Sequence, residues 1–231
     1  MKINVKNETT DFNSYRAARV KSLFNADNGS QFIAEFDLPI EDSDWQIGLV
    51  VGASGTGKTS IGRKFFGDDK IVNLYGGWDG EKPIIDCISP DGEFNDVTGA
   101  LANVGLGDVP SWLRPFHALS NGQQFRAGLA RAICEDNGDI VIDEFTSVVD
   151  RQIAKIGAMA FAKGWRRSQA RKVVLLSCHY DVIEWLQPDW VFDTTTNTLK
   201  KKAKSGDDRN SNLKFSRSTV IIGNSLSNII I

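Results

Sequence analysis

The strongest constraint in this chain is Gly52-Ala-Ser-Gly-Thr-Gly-Lys-Thr59, which follows the apolar run Ile47–Val51 and precedes a helical pattern. The stretch satisfies G-x-x-x-x-G-K-[ST], a pattern whose required setting is a buried strand, a tight glycine-rich turn and then a helix. Small residues at Gly52, Ser54, Gly55, Thr56 and Gly57 let successive backbone N–H groups converge on a phosphate, and the helix starting there adds the positive end of its dipole. Lys58 supplies a mobile charge for the outer phosphates and Thr59 a hydroxyl for Mg²⁺. Ser60 completes the expected nucleotide-contacting set.

Beyond Ile47 the chain reads as short apolar runs at Ile47–Val51, Ile84–Ile88, Ile140–Ile142, Val173–Leu176 and Trp190–Phe192, separated by helix-length segments. Such runs mark strands buried on both faces of a mostly parallel sheet, which makes the fold class α/β. Phe125, Leu129 and Ile133 fall at four-residue steps on a helix that stops at Asn137-Gly138, and Ile153, Ile156 and Ala160 mark another. Before the loop, Phe32, Ala34, Phe36 and Leu38 alternate with polar residues, as do Ile3 and Val5, which predicts an N-terminal antiparallel β layer. The expected organisation is one domain over residues 1–199 with a reduced helical insertion at about 90–136. A basic segment, 200–231, follows as a disordered tail or a fragment of a further domain.

Composition excludes several classes. With 41% hydrophobic and 24% charged residues the 231-residue chain can bury a core. No run approaches the ~18 to 20 apolar residues of a bilayer-spanning helix. The N-terminus alternates like a strand and lacks the apolar core of a secretion signal, so a cytoplasmic location is expected. Cys87, Cys134 and Cys178 each sit in an apolar run and read as buried reduced thiols. Net charge is -2, but residues 200–231 carry seven bases against two acids, leaving the body at -7 and a poor generic binder of nucleic acid. A local basic patch at Arg166, Arg167, Arg171 and Lys172 remains an alternative.

A second element, Asp139-Ile-Val-Ile-Asp143-Glu144, ends an apolar run in two adjacent carboxylates. Asp143 suits a Mg²⁺ ion held through its water shell, and Glu144 suits a base that takes the proton from, or orients, water attacking a γ-phosphate. A third, Leu119-Ser120-Asn121-Gly122-Gln123, opens the Phe125 helix. Ser120 with Gln123 three residues on forms a capping box, and the same helix start can face a nucleotide phosphate.

The order of these motifs resembles that of the ATP-binding-cassette (ABC) ATPases, particularly small soluble bacterial and phage types, over residues 1 to 195. The resemblance implies a P-loop fold of ABC type, with the Ser120, Gly122 and Gln123 stretch as signature, Ser147–Asp150 as D-loop and His179 as switch histidine. It further implies ATP and Mg²⁺ as ligands. It also implies an aromatic stacked on adenine ahead of the loop, for which Phe24 is the candidate and Phe32 the rival. Asn121 replaces the usual signature glycine and Phe145 the usual proline. No glutamine lies between Gln46 and Gln123 for the Q-loop, leaving Ser89 or Asp91 after the Ile84–Ile88 run to take its place.

A head-to-tail homodimer enclosing ATP follows from the same resemblance, with Lys58, Glu144 and His179 as catalytic set and Asp150 at the nucleotide. The segment 90–118 is broken by glycines and prolines, which argues against the docking surface of a membrane permease. The expected activity is therefore a soluble ATPase coupled to an effector that is a protein, a nucleic acid or a fused domain. A transporter nucleotide-binding subunit and a non-catalytic ATP-sensing dimerisation module are the alternatives.

Overall fold

The computed structural model describes residues 2–7, 14–24, 32–38, 40, 44–135, 138–167, 171–202 and 215–219. The chain divides into two compact units, Met1–Asp42 with Val220–Ile231, and Ser43–Thr219. In the first, β1 (Lys2–Asn7) pairs antiparallel with β2 (Phe32–Asp37), Ile3 opposite Phe36 and Val5 opposite Ala34, with helix α1 (Tyr15–Phe24) between them in sequence. The register sets the two alternating segments against each other as their period-2 patterns require. Tyr15, Val20, Leu23 and Phe24 of α1 are exposed.

The second unit carries β3 (Ile47–Val51), β4 (Ile71–Val72), β5 (Ile140–Ile142), β6 (Val173–Ser177), β7 (Trp190–Asp193), β8 (Thr198–Lys202) and β9 (Phe215–Thr219). They form one seven-stranded sheet in the order β4-β5-β6-β3-β7-β8-β9. The first five are parallel and the last two pairings antiparallel. The described helices of this unit are α2 (Lys58–Phe66), α3 (Ile84–Cys87), α4 (Phe94–Asn103), α5 (Val109–Trp112), α6 (Asn121–Cys134), α7 (Arg151–Arg167) and α8 (Val182–Leu186). The α/β class and mostly parallel sheet expected from the apolar runs are both present. β3, β5 and β6 are buried at every position, as strands covered on both faces must be.

Several expectations are corrected. Ile84–Ile88 is not a strand: Ile84 to Cys87 turn helically after Pro83, the Ile88 N–H donates to the Ile84 carbonyl at 3.1 Å, and both isoleucines are buried. A continuous apolar run satisfies a buried helical turn as well as a strand, so periodicity could not separate them. On α7 the buried face is Ala154, Gly157, Ala158, Phe161 and Trp165, while Ile156 is exposed. The reason is close packing: a Cβ on Gly157 would lie 2.6 Å from the Phe125 ring. Small residues, not the largest aliphatics, mark that face.

The boundary expected after Leu199 falls inside β8, whose Leu199 is buried, and β9 pairs beyond it. Expectations for residues 203–214 and 220–231 fall outside the described residues. Cys178 is exposed and Cys87 and Cys134 are half-buried, so none of the three is a buried core thiol. Burial foremost pushes the Cys134 thiol up to about 11. The basic cluster is largely consumed by structure. Arg166 donates to the Leu186 and Gln187 carbonyls, Arg171 to those of Glu135 and Ile133 while stacked on Trp165, and Lys172 lies over Trp45.

Candidate functional site

Parallel strands deliver their following loops to one edge, so the carboxyl ends of β5, β6, β3 and β7 define the site. The register aligns Val51 with Ser177 on one side and Asp193 on the other, and Ile142 with Leu175. The glycine-rich loop therefore leaves the central strand between its neighbours' ends. Gly52, Gly55 and Gly57 have φ of 153°, 81° and 83°, and α2 begins at Lys58. A Cβ at Gly52 would stand 1.9 Å from Thr194 Oγ1, so that glycine is required by space as well as by backbone.

Residues after β7 buttress the loop. Thr56 Oγ1 donates to the Ala53 carbonyl at 2.8 Å and shares a 2.6 Å hydrogen bond with Thr194 Oγ1, while Ala53 N–H donates to Thr195 Oγ1 at 3.3 Å. Thr194 is in turn tied to the Val51 carbonyl by its N–H at 2.8 Å. This threonine run supports the loop, a part that reading for motifs overlooked. Its signal was present as three polar residues directly after a buried strand. Lys58 Nζ folds back onto the loop and donates to the Gly52 and Ala53 carbonyls at 2.8 and 2.7 Å. Ser54 and Thr59 are exposed, Ser60 half-buried.

After β5, Asp143 Oδ1 accepts the Glu144 N–H at 2.8 Å. Glu144 is exposed at φ 51°, and Thr146 follows at φ 67°. Between them Phe145 is buried against Phe125 and Phe161, and its N–H donates to the Leu176 carbonyl at 2.8 Å. The Ser177 hydroxyl donates to the Phe145 carbonyl, and the His179 N–H to the Ser177 hydroxyl at 3.1 Å. The carboxylate turn and the histidine segment are thereby one hydrogen-bonded unit. Burial first, and then the nearby Arg151 charge, hold His179 below the usual histidine range against the opposing effect of Asp181. Arg151 pairs with Asp181 through two nitrogens and lies over Trp185, fixing the start of α7 to the histidine segment.

The remaining predicted residues have structural partners. Ser120 and Gln123 form the expected capping box, with Ser120 N–H to Gln123 Oε1 at 3.0 Å and Gln123 N–H to Ser120 Oγ at 3.4 Å. Gln123 Nε2 reaches Ser111 at 2.7 Å, so the cap is braced by the insertion. Gly122 admits α7: a Cβ there would lie 2.6 Å from Ile153. Asp150 caps α7 by accepting the Gln152 and Ile153 N–H groups. Phe24 ends α1, which belongs to the other compact unit, and its ring is exposed. The side chain of Phe32 lies outside the described set.

Ser89 and Asp91 do not follow a strand. The strand ending beside the carboxylates is β4, parallel to β5 with Val72 opposite Ile142, so the chain that leaves next to Asp143 and Glu144 begins at Asn73. For a metal, Asp143 and Thr59 offer hard oxygen donors of the kind Mg²⁺ takes together with water and phosphate. Asp143 keeps Oδ2 for that purpose, and Thr59 is exposed, so the residues fit such an ion. Among the described residues no three His, Cys, Asp or Glu side chains gather into a cluster that could hold a metal alone.

No family model and no curated protein matches the chain. It is similar to a bacterial Atm1-family ABC exporter solved with ATP bound, at 15% identity and a TM-score of 0.51, covering 72% of this chain. The match spans 33% of the exporter chain, so about a third of that length is represented. At this identity the likeness is one of fold. Among the described residues no helix is long and apolar enough to cross a membrane.

Proposed function

We propose that the chain is an ABC-type ATPase of the P-loop class, converting ATP and water to ADP and phosphate. The carrying observation is one edge of one sheet at which the Gly52–Thr59 loop leaves β3 while Asp143, Glu144 and His179 follow β5 and β6. Each group has a task that its surroundings suit. The loop's N–H groups and Lys58 bind the phosphates, with incoming oxygens replacing the two carbonyls that now hold Nζ. Glu144, exposed and without a side-chain hydrogen bond or ion pair among the described residues, takes the proton of the attacking water. His179 has an N–H to offer the γ-phosphate. Thr59 and Asp143 would hold a Mg²⁺ ion, which would supply neutralisation of phosphate charge.

One protomer presents too few donors to enclose a triphosphate away from water, which supports a head-to-tail dimer with Ser120 and Gly122 of a second copy closing the site. The α6 N-terminus, capped and braced from Ser111, is pre-organised for this. Between the turn after α3 and the signature, the insertion contains a single helix of 10 residues, α4, and the one-turn α5. So small a subdomain favours an effector other than a membrane permease, while the fold shared with an exporter supports the transporter-subunit alternative.

Two substitutions in one nucleotide-binding and sedimentation experiment test the reading. Lys58→Ala is expected to lose ATP binding by on the order of a hundredfold or more, with unchanged thermal stability. Glu144→Gln should bind Mg·ATP and accumulate as a dimer that turns over at least ~100-fold more slowly than wild type. Retained affinity in Lys58→Ala, or a Glu144→Gln chain that sediments only as monomer, overturns the site or the dimer respectively.

A further inference from the structure

The Tyr75 hydroxyl is buried and has no hydrogen-bond partner among the described residues. Nearly all buried polar groups in folded proteins are paired, so such an orphan marks a donor open to an acceptor supplied by water, by a ligand or by a neighbouring side chain. Its position says where to look. Tyr75 belongs to the turn after β4, which leaves the sheet directly beside the Asp143–Glu144 turn after β5.

Loose placement does not explain the orphan, because this turn is tightly held. Asn73 Oδ1 accepts the Tyr75 N–H at 2.9 Å. Arg131 of α6, itself buried, donates to the Asn73 carbonyl at 3.1 Å and the Gly76 carbonyl at 2.7 Å, with its guanidinium 4.1 Å above the Trp78 ring. The Trp78 indole N–H donates back to the Leu74 carbonyl at 3.0 Å. Gly128 lets α6 approach so closely that a Cβ there would stand 2.7 Å from that same carbonyl. The ring is thus presented from a platform built by the helix whose N-terminus carries Ser120.

The neighbouring strand end carries a carboxylate that can serve as that acceptor. Glu144 is the exposed carboxylate there and makes no side-chain hydrogen bond or ion pair among the described residues. We propose that Tyr75 is a positioning residue whose hydroxyl donates a hydrogen bond to the Glu144 carboxylate once nucleotide is bound, aiming that base at the attacking water. Burial, and then the Glu144 charge, push the phenol up to about 12, so it retains the proton it must donate. This inference rests on the ATPase reading and assigns the group that orients its base.

The test is a double-mutant cycle on the full chain with Tyr75→Phe and Glu144→Gln, reading steady-state ATPase rates, ATP binding and melting temperature. Tyr75→Phe alone is expected to lower kcat about ten- to a hundredfold with KM unchanged. In the Glu144→Gln background it should change the residual rate less than twofold, because the group it acts through has gone. Its melting temperature should equal or exceed wild type, since a buried hydroxyl without a partner is removed. Wild-type kcat in Tyr75→Phe, full additivity with Glu144→Gln, or a melting point several degrees lower would each overturn the inference while leaving the ATPase reading intact. A wild-type chain that binds and hydrolyses no ATP overturns the reading and the inference together.

Discussion

The loop after β3 and the turn after β5 meet the same demand, an abrupt change of chain direction at a strand end, by opposite means. The first uses glycine wherever φ is positive, at positions 52, 55 and 57. The second holds Glu144 and Thr146, two residues with Cβ atoms, at φ 51° and 67°. Left-handed backbone disfavours such residues, so the surroundings must impose it. Phe145 does so from between them, anchored in the core and bonded to the β6 backbone. Freedom shapes one side of the site and packing the other.

Phe145→Ala tests the anchoring with the largest expected effect. A fully buried aromatic replaced by alanine is expected to cost about 3 to 5 kcal/mol. For a chain this size that lowers the melting temperature by on the order of 10 °C. A calorimetric shift under ~2 °C would mean that the turn is not held by the core.

The contrast sharpens with a reciprocal pair. A Cβ at Gly55 would meet nothing within 4 Å, so Gly55→Ala faces only the backbone penalty and should lose about 1 kcal/mol in urea denaturation. Glu144→Gly should gain about 0.5 to 1 kcal/mol by relieving the same penalty, while abolishing turnover. Loss in both would show that Glu144 is not under backbone strain.

The smallest effect concerns the histidine bonded to this turn. Because its folded pKa lies below the unfolded value of about 6.5, both states are neutral above that pH. As pH falls below it, the unfolded chain takes the proton that the folded chain resists, so stability decreases. His179→Gln should flatten that decrease as pH falls below about 6.5 in urea midpoints. An equally steep fall in the variant would assign it to other groups.

What the sequence disclosed follows the same division. The loop was legible because its chemistry is local: three glycines, a lysine and a threonine at set spacing after a strand. β3, β5, β6 and β7 were legible because burial on both faces leaves unbroken apolar runs. β4 was not, since two half-buried residues carry no period, and without it the Q-loop position was expected at Ser89 or Asp91 after a run that is helical. β8 was hidden because three of its five residues are lysines. The bracing of the Tyr75 turn by Arg131 was invisible because those contacts cross more than fifty residues of chain. The capping box was read correctly as a helix start, but helix capping and nucleotide contact use the same residues, and geometry within one copy supports only the first.

The two described rims of the seven-stranded sheet also differ from its centre. One ends in β4, only two residues long, and the other in β9 with Arg217 at its middle, beside the lysine-rich β8. Strand rims invite further strands from other molecules, and brevity is one of the usual deterrents. At the β4 rim of this sheet, brevity leaves little backbone on which a strand of another molecule could add at high concentration.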